Sequence, residues 1–187
     1  MFPDMLSFRQ RQKWARLNPA FTFENLAVHD GNIEATGVAR NFIADPLKYS
    51  PLIIYGSSGS GKTYLLHAIG NALAARDPKL RIRCQTSQEF YQHYTGYINK
   101  NRNSDFYRYY FNLDVILTDD IQWLQDDEDA QETFFLTMGA LAADGKHIAM
   151  ALDKASPETE WDFSYAKSFL ESCEFVSISS KGASLVW

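Results

Sequence analysis

The stretch Gly56–Thr63 limits what this chain can fold into more than any other part of its sequence. It reads Gly-Ser-Ser-Gly-Ser-Gly-Lys-Thr and matches the P-loop pattern G-x-x-x-x-G-K-[ST] at every fixed position. The apolar run Pro51–Tyr55 precedes it and the helix-forming run Tyr64–Ile69 follows it, so a buried strand leads in and a helix leads out. A plain Gly/Ser turn is the alternative, but the complete pattern in this context favours a phosphate site.

The residue types in this loop explain how it would bind phosphate. Glycines let the backbone fold tightly enough to point successive N–H groups at phosphate oxygens, and the dipole of the following helix adds positive potential. Lys62 is expected to reach the β- and γ-phosphates, in binding and in catalysis, and the Thr63 hydroxyl to bind Mg²⁺. The predicted nucleotide-binding residues of the loop are Gly56, Ser57, Ser58, Gly59, Ser60, Gly61, Lys62 and Thr63.

A second apolar run, Val115–Thr118, ends in the acid pair Asp119 and Asp120. Asp119 is placed to orient the Mg²⁺ shell, as a Walker-B aspartate does, and Asp120 to polarise an attacking water in catalysis. Two acids at the end of a strand are by themselves equally well explained as a solvated surface feature. Together with a complete P-loop they predict a metal-dependent nucleotide site.

Composition narrows the class of protein. The chain has 187 residues, which suits one α/β domain with a core of its own, and its formal net charge of −5 gives no general attraction to nucleic acid. Cys84 and Cys173 lack metal-ligand spacing, which predicts free thiols in a reducing compartment. No apolar run reaches the length of a membrane span and the start lacks the basic region of a signal peptide, so we expect a cytoplasmic protein.

The order of the predicted elements indicates the fold class. Strands and helices alternate along the chain, which predicts a parallel sheet covered by helices on both faces, with the ligand at the carboxyl ends of the strands. We expect Asp30 to cap a helix that runs to Asp45. The other predicted helices and strands are a strand over 80–84, a helix from a capping box at 86–89 to about 98, a helix starting at 103–104, a helix over about 129–143 ended by Gly145, and strands over 147–152 and 175–178.

The first residues form a separate feature. Residues 4–17 combine four basic side chains with Phe8 and Trp14. This pattern is compatible with a nucleic-acid arm, but it favours a docking helix whose aromatic side chains pack on the domain. We therefore divide the chain into an N-terminal arm or helix, 1–17, and a base domain, 18–187.

Beyond these motifs, the chain resembles the AAA+ core of the bacterial replication initiator DnaA and its shorter regulator Hda. The resemblance extends from about Leu17 to Leu152. Besides the P-loop, four stretches carry it: Leu17–Leu26, Ser104–Phe106, Leu117–Leu124 and Gln131–Phe135. It implies a P-loop NTPase (AAA+) fold with a five-stranded parallel sheet, and ATP or ADP with Mg²⁺ as the ligand. It also implies that the segment Phe21–Val28 borders the adenine and that Asp153 takes the first-sensor position at the γ-phosphate.

The chain departs from the family pattern at the arginine finger. In AAA+ assemblies the nucleotide edge of one subunit meets the finger edge of the next. Phe169 stands where the finger is expected, no arginine follows Arg108, and Lys167 is a poor substitute for a planar donor. A second departure is that the sequence ends at Trp187, so we expect neither the helical lid nor the DNA-binding domain of the family.

The third departure lies in the loop after the acid pair, where initiators carry basic residues that follow single-stranded DNA. Here it reads Gln-Asp-Asp-Glu-Asp over 125–129, and between Arg108 and Lys146 there are nine acids and no Lys or Arg. Whether it is only a solvated loop or a binding surface, this charge argues against direct DNA binding.

Three functions from different classes remain open at this point. The first is a nucleotide-binding protein that regulates replication initiation by docking on a DnaA-type initiator or another replication protein. The second is a slow ATPase that acts in initiation or helicase loading. The third is an adaptor or inhibitor that retains a P-loop without using nucleotide.

Overall fold

A parallel sheet of five strands forms the centre of the molecule. The computed structural model describes residues 8–153 and 164–180, and within these ranges the strands lie in the order β2-β3-β4-β1-β5, with every neighbouring pair parallel. The strands are β1 (Leu52–Gly56), β2 (Ile82–Thr86), β3 (Val115–Asp119), β4 (His147–Asp153) and β5 (Glu174–Ser177). The predicted class, a five-stranded parallel P-loop sheet covered by helices, is confirmed.

Helices cover both faces of this sheet. They are α1 (Phe8–Ala15), α2 (Ile33–Ala44), α3 (Pro46–Tyr49), α4 (Lys62–Arg76), α5 (Ser87–Ile98), α6 (Asn103–Phe111), α7 (Glu128–Ala143) and α8 (Ser164–Glu171), with a 3₁₀ helix at Ile121–Asp126. Helices α2 and α4 share one apolar core with one face of the sheet, and α5 to α8 share a second core with the other face. No helix in the described ranges is long and apolar enough to cross a membrane.

The alternation of side chains along the central strands explains these two cores. In β1, Leu52 and Ile54 point into the α2–α4 core, whereas Ile53 points into the α5–α8 core. All three are completely buried, and β3 and β4 alternate in the same way. A strand that is buried on both faces must be apolar throughout, which is why these strands read as continuous apolar runs.

The end of the N-terminal arm, from Trp14 to Leu17, packs on the domain, in agreement with the predicted docking helix. Trp14 lies against Tyr109 with ring centroids 6.4 Å apart, and its carbonyl accepts a hydrogen bond from the Arg83 guanidinium. Arg16 pairs with Glu89 at 2.8 Å. These contacts use one aromatic and one basic side chain of the arm, Trp14 and Arg16, that would otherwise be available to nucleic acid. The boundary between residues 17 and 18 remains a prediction.

Element boundaries differ from the prediction by two residues in two places, and by one residue at α7, β4 and β5. Helix α2 begins after Asn32 rather than Asp30, because the Asn32 side chain accepts from the His29 N–H and closes a turn just before the helix. Strand β2 covers 82–86 rather than 80–84, since Thr86 completes the strand and also caps α5. The capping box at Thr86 and Glu89 is confirmed, and the two predicted free thiols, Cys84 and Cys173, are unpaired.

Gly56 has a structural role that provides a first prediction. A Cβ on Gly56 would overlap the carbonyl oxygen of Ile178, which the backbone bond from the Ile178 N–H to Tyr55 holds close. We expect Gly56→Ala to lower the free energy of unfolding by about 1–3 kcal/mol, as in other overpacked sites. Gly96→Ala is the matched control, because a Cβ there meets nothing within 4 Å inside α5 and should stabilise the protein by about 0.5–1 kcal/mol. Chemical denaturation would measure both; equal stabilities would contradict the prediction.

Candidate phosphate-binding site

The fold brings the predicted site residues together at the carboxyl ends of three neighbouring strands. The P-loop follows β1, Asp119 ends β3 and Asp153 ends β4. Gly56 and Asp153 are direct partners in the pairing of β1 with β4. In an open α/β sheet this edge is where ligands bind.

Lys62 is the most tightly held side chain in the site. Only 7% of the residue is exposed, although it is a lysine in the first turn of a helix. Its Nζ donates to the carbonyl oxygens of Gly56 at 2.9 Å and Ser57 at 2.8 Å, and lies 3.3 Å from Asp153 Oδ1. A buried ammonium needs such partners, because losing water costs several kcal/mol per ion. The loop therefore fixes a positive charge at its own centre.

Thr63 and Asp119 form the second contact across the site. The Thr63 hydroxyl donates to Asp119 Oδ2 at 2.6 Å, and Asp119 Oδ1 accepts from the backbone N–H of Asp120 at 2.9 Å. Burial raises the pKa of Asp119 above its ordinary value, and the charge of Asp120 adds to this, while the Thr63 hydrogen bond opposes it. A hydroxyl beside a desolvated carboxylate is a suitable pair for a hard cation such as Mg²⁺, which prefers oxygen ligands.

The loop backbone also fits a phosphate group. Gly59 and Gly61 have φ angles of +74° and +106°, a region that residues with a Cβ rarely adopt, so these turns need glycine. The Ser60 hydroxyl is buried without a hydrogen-bond partner in the protein. A buried polar atom without a hydrogen-bond partner destabilises the folded protein unless a ligand supplies the partner. The loop thus combines a fixed cation, an unsatisfied hydroxyl and left-handed turns, as a phosphate cradle requires.

Asp120 differs from Asp119 in its surroundings. It is exposed and has a left-handed backbone conformation, with φ 56°. The side-chain amide of Gln122 makes both contacts. Its Nε2 donates to Asp120 Oδ1 at 2.9 Å, and its Oε1 accepts from the backbone N–H of Asp153 at 2.9 Å. Gln122 therefore links the predicted catalytic acid to the predicted sensor. The sequence motifs give Gln122 no role, although it stands two residues after the acid pair.

The segment expected to border the adenine lies against the P-loop helix. Phe21 stacks on Tyr64 with ring centroids 4.5 Å apart, and the Tyr64 hydroxyl donates to the Thr22 carbonyl. The Asn71 amide donates to the carbonyls of Asn18 and Phe21, each at 2.8 Å. The entry segment is thereby attached to the same helix that begins with Lys62.

The position expected for an arginine finger is in the core. Phe169, on α8, is 6% exposed and lies 5.9 Å from the ring of Phe135 on α7. Lys167, two residues earlier, is exposed. An apolar side chain at residue 169 helps to attach α8 to α7, so this position carries no charge at the surface.

Comparison with known proteins identifies the family. The family described as the bacterial DnaA ATPase domain matches residues 17–164, which is most of the chain. This chain belongs to the bacterial DnaA ATPase domain family. Its AAA+ fold agrees with domain III of the replication initiation protein DnaA from Thermotoga maritima, at a TM-score of 0.82 and 31% identity over 87% of this chain and 68% of that one.

Other DnaA proteins show the same relationship. AMPPCP-bound DnaA from Aquifex aeolicus has a TM-score of 0.79 and 32% identity, covering 87% of this chain and 51% of that structure. The chromosomal replication initiator protein DnaA of Corynebacterium aurimucosum is 42% identical over 139 residues, which is 74% of this chain and 26% of that protein. This DnaA-family chain therefore spans about a quarter of the length of that curated relative.

The raised pKa of Asp119 leads to a second prediction. The folded state binds a proton at Asp119 more readily than the unfolded state, so this group lowers stability as the pH rises from its ordinary pKa of 3.8 through the raised value. Asp119→Asn removes the charge, and its amide can donate to Thr63 Oγ1. We expect the ligand-free variant to melt higher at neutral pH by roughly 2–4 °C for each 1 kcal/mol relieved.

This gain should shrink as the pH falls through the raised pKa of Asp119, and it should be smallest below the ordinary pKa of 3.8, where the carboxyl is mostly protonated in both states. Asp120→Asn is the matched control. That carboxylate is exposed and acts on Asp119 only through its charge, which is a smaller cause than burial, so the variant should raise the melting temperature by less than Asp119→Asn. Thermal unfolding followed by circular dichroism at both pH values would test this. A lower melting temperature for Asp119→Asn at neutral pH would contradict it.

Proposed function

We propose that this DnaA-family domain binds an adenine nucleotide with Mg²⁺ and regulates replication initiation by docking on an initiator-type AAA+ partner. The buried and fully bonded Lys62 carries the proposal, since it places a fixed cation inside a glycine loop with an unsatisfied hydroxyl at Ser60. The Aquifex relative, at 32% identity, has the nucleotide analogue AMPPCP in its structure. The experiment is calorimetric titration with Mg-ATP and Mg-ADP.

The residues proposed to hold the ligand follow from their contacts. Lys62 and the loop N–H groups would bind the phosphates, with Asp153 beside them, while Thr63 and Asp119 would hold the metal. Bound Mg²⁺ would supply charge neutralisation at the phosphates. Asp120 is exposed and oriented by Gln122, which suits a group that positions a water molecule. The segment Phe21–Val28, which contacts Tyr64 of α4, would border the adenine.

The kind of partner follows from a difference between two edges of the domain, the phosphate-binding edge and the edge where an arginine finger is expected. The phosphate edge has its lysine, its threonine hydroxyl and three carboxylates, whereas residue 169, where a finger is expected, is a buried phenylalanine. Such a domain can accept a finger from a neighbour but does not offer one at that position. We therefore propose one-ended association, through the face around the P-loop and Asp119, in which this domain caps an assembly of initiator subunits. Capping would limit initiation, so the proposed role is negative regulation.

A binding experiment with a full-length DnaA-type initiator tests the docking. We expect ATP-dependent capture of the initiator, which weakens as salt rises because the net charge of −5 favours basic groups on the partner. Asp120→Lys should weaken capture, and Glu174→Lys, an exposed site on β5, is the control of equal charge change. Absence of capture with and without ATP, or long homopolymers of this protein alone, would overturn the proposal.

A slow ATPase that acts in initiation or helicase loading is the second candidate. The complete pair of Asp119 with Thr63 and the oriented Asp120 favour it. Measurable turnover by the purified protein alone, which a DnaA-type initiator neither captures nor accelerates, would establish this candidate in place of the first. Absence of nucleotide binding would favour an adaptor.

A further inference from the structure

A groove on the opposite helical layer from the P-loop helix is the strongest feature that the proposed function leaves unused. It has a volume of about 410 Å³ and lies between α5, α6 and the start of α7. Its lining residues are Tyr91, Tyr94, Thr95, Ile98, Asn99, Tyr107, Asp129, Glu132, Thr133 and Leu136. None of them belongs to the P-loop or to the acid pair. We call this the tyrosine groove.

Exposed apolar surface is concentrated around the tyrosine groove. Tyr107 is 44% exposed and Leu136 50%, and both line it. Trp123, 38% exposed, lies 6.3 Å from the ring of Tyr91 at the same end. These three are among the five most exposed large apolar side chains in the described residues. Exposed apolar side chains scattered singly need no explanation, but a contiguous group around a concave surface indicates a binding site.

The charged residues that line the groove are of one sign. Asp129 and Glu132 are exposed on the first turns of α7, and neither is in an ion pair within 8–153 and 164–180. The lining residues include these two acids and no Lys, Arg or His. Burial raises the pKa of Tyr91, and the carboxylates of Asp127 and Asp129 add to the rise. Both acids therefore act electrostatically on a tyrosine that lines the groove.

This combination identifies the chemistry of the occupant. Tyrosine faces attract Lys and Arg cations, and the attraction increases where the contact excludes water. Carboxylates at the rim would pair with the same cations, while Leu136 and Tyr107 would take an apolar side chain. A phosphate backbone would be repelled by the acids. Arg102 and Arg108, beside the groove in sequence, pair with Asp105 rather than with Asp129 or Glu132.

We propose that the tyrosine groove docks a basic segment of a protein partner, with an apolar anchor against Leu136 and Tyr107 and Lys or Arg side chains against Asp129 and Glu132. This contact is separate from the nucleotide face, and it does not depend on the proposed function. It would give the domain a second attachment point on the side away from the P-loop helix.

Selection from a displayed library of random 16-residue peptides against the full chain tests this proposal. We expect the recovered peptides to combine Lys or Arg with a large apolar residue. A synthetic peptide of the consensus, labelled with fluorescein, should bind the wild type and lose affinity about tenfold or more on Asp129→Lys/Glu132→Lys, and also on Leu136→Gln. Charged contacts at an interface have effects of this size.

Two control variants separate local from general effects. Glu34→Lys/Glu174→Lys makes the same change in net charge at exposed sites outside the groove, and Glu34, like Asp129, lies in the first turn of its helix. This variant should retain peptide affinity within about twofold, as should Lys62→Ala, which is directed at the nucleotide site. Melting temperatures of all variants would confirm that they fold.

Four results would overturn the proposal. These are recovery of no peptides, a consensus without basic residues, peptide binding that survives the groove variants, and binding of a single-stranded DNA oligonucleotide that the groove variants abolish. The last result would assign the groove to nucleic acid instead. Failure of nucleotide binding with intact peptide binding would leave the groove proposal standing and remove only the proposed function.

Discussion

Lys62→Ala should remove most of the affinity of this domain for Mg-nucleotide. Truncating one partner of a buried, hydrogen-bonded charge contact costs about 2–5 kcal/mol, and the lower end already corresponds to a Kd about 30-fold weaker. Lys62 fits this case, because its ammonium is held by two backbone carbonyls and Asp153 at the centre of the loop. Isothermal titration of both proteins with Mg-ATP would measure the change.

The control for this experiment is Lys79→Ala. Lys79 is exposed in the turn after α4, and its own N–H, not its side chain, bonds to Asp77. This variant should bind nucleotide like the wild type. Lys62→Ala leaves the Asp153 carboxylate without its cation, so its melting temperature must be measured to separate unfolding from loss of binding. A folded Lys62→Ala protein with unchanged affinity would disprove the assignment of the phosphate site.

The central part of the fold follows from local sequence signals. The buried strands β1, β3 and β4 could be predicted because a strand covered on both faces must be apolar throughout. The capping box at Thr86 could be predicted because it is a local pattern of four residues. Asp30 was the wrong cap for α2. Asn32 stands at the N-cap position instead, and its side chain accepts from the His29 N–H rather than from an N–H of the helix, a contact that the sequence pattern does not show.

The site was predictable to the extent that its residues belong to motifs. The P-loop and the acid pair were recognised, and their meeting at one sheet edge follows from the parallel order of the strands. The bridge made by Gln122 between Asp120 and Asp153 was not predicted, because it joins residues 31 positions apart through a 3₁₀ helix. The tyrosine groove was missed because it, too, joins residues that are far apart in the sequence. Its side chains come from three helices, and each helix alone shows only an ordinary aromatic or acidic face.

The largest rate effect should appear when the domain meets a partner that supplies an arginine. We expect the purified domain to hydrolyse ATP very slowly, because Asp120 can position water but the buried Phe169 leaves the transition-state charge uncompensated. A finger supplied by a neighbour is worth about 10³–10⁵ in rate in other nucleotide hydrolases. Adding a full-length DnaA-type initiator should therefore accelerate turnover at this site.

Combining variants of the initiator with variants of this domain would show that the accelerated turnover occurs at the nucleotide site of this domain. An initiator whose own catalytic acid is inactivated should still stimulate ATP turnover by the wild-type domain. The same initiator should not stimulate turnover by the Asp120→Asn variant of the domain. That variant keeps the buried Thr63–Asp119 contact, so it should bind nucleotide normally. An initiator whose finger arginine is replaced by alanine should dock and yet give no stimulation. Fast turnover by the isolated domain would show that an arginine or lysine elsewhere in this chain acts as the finger, because an internal charge is the remaining source of compensation when no partner is present.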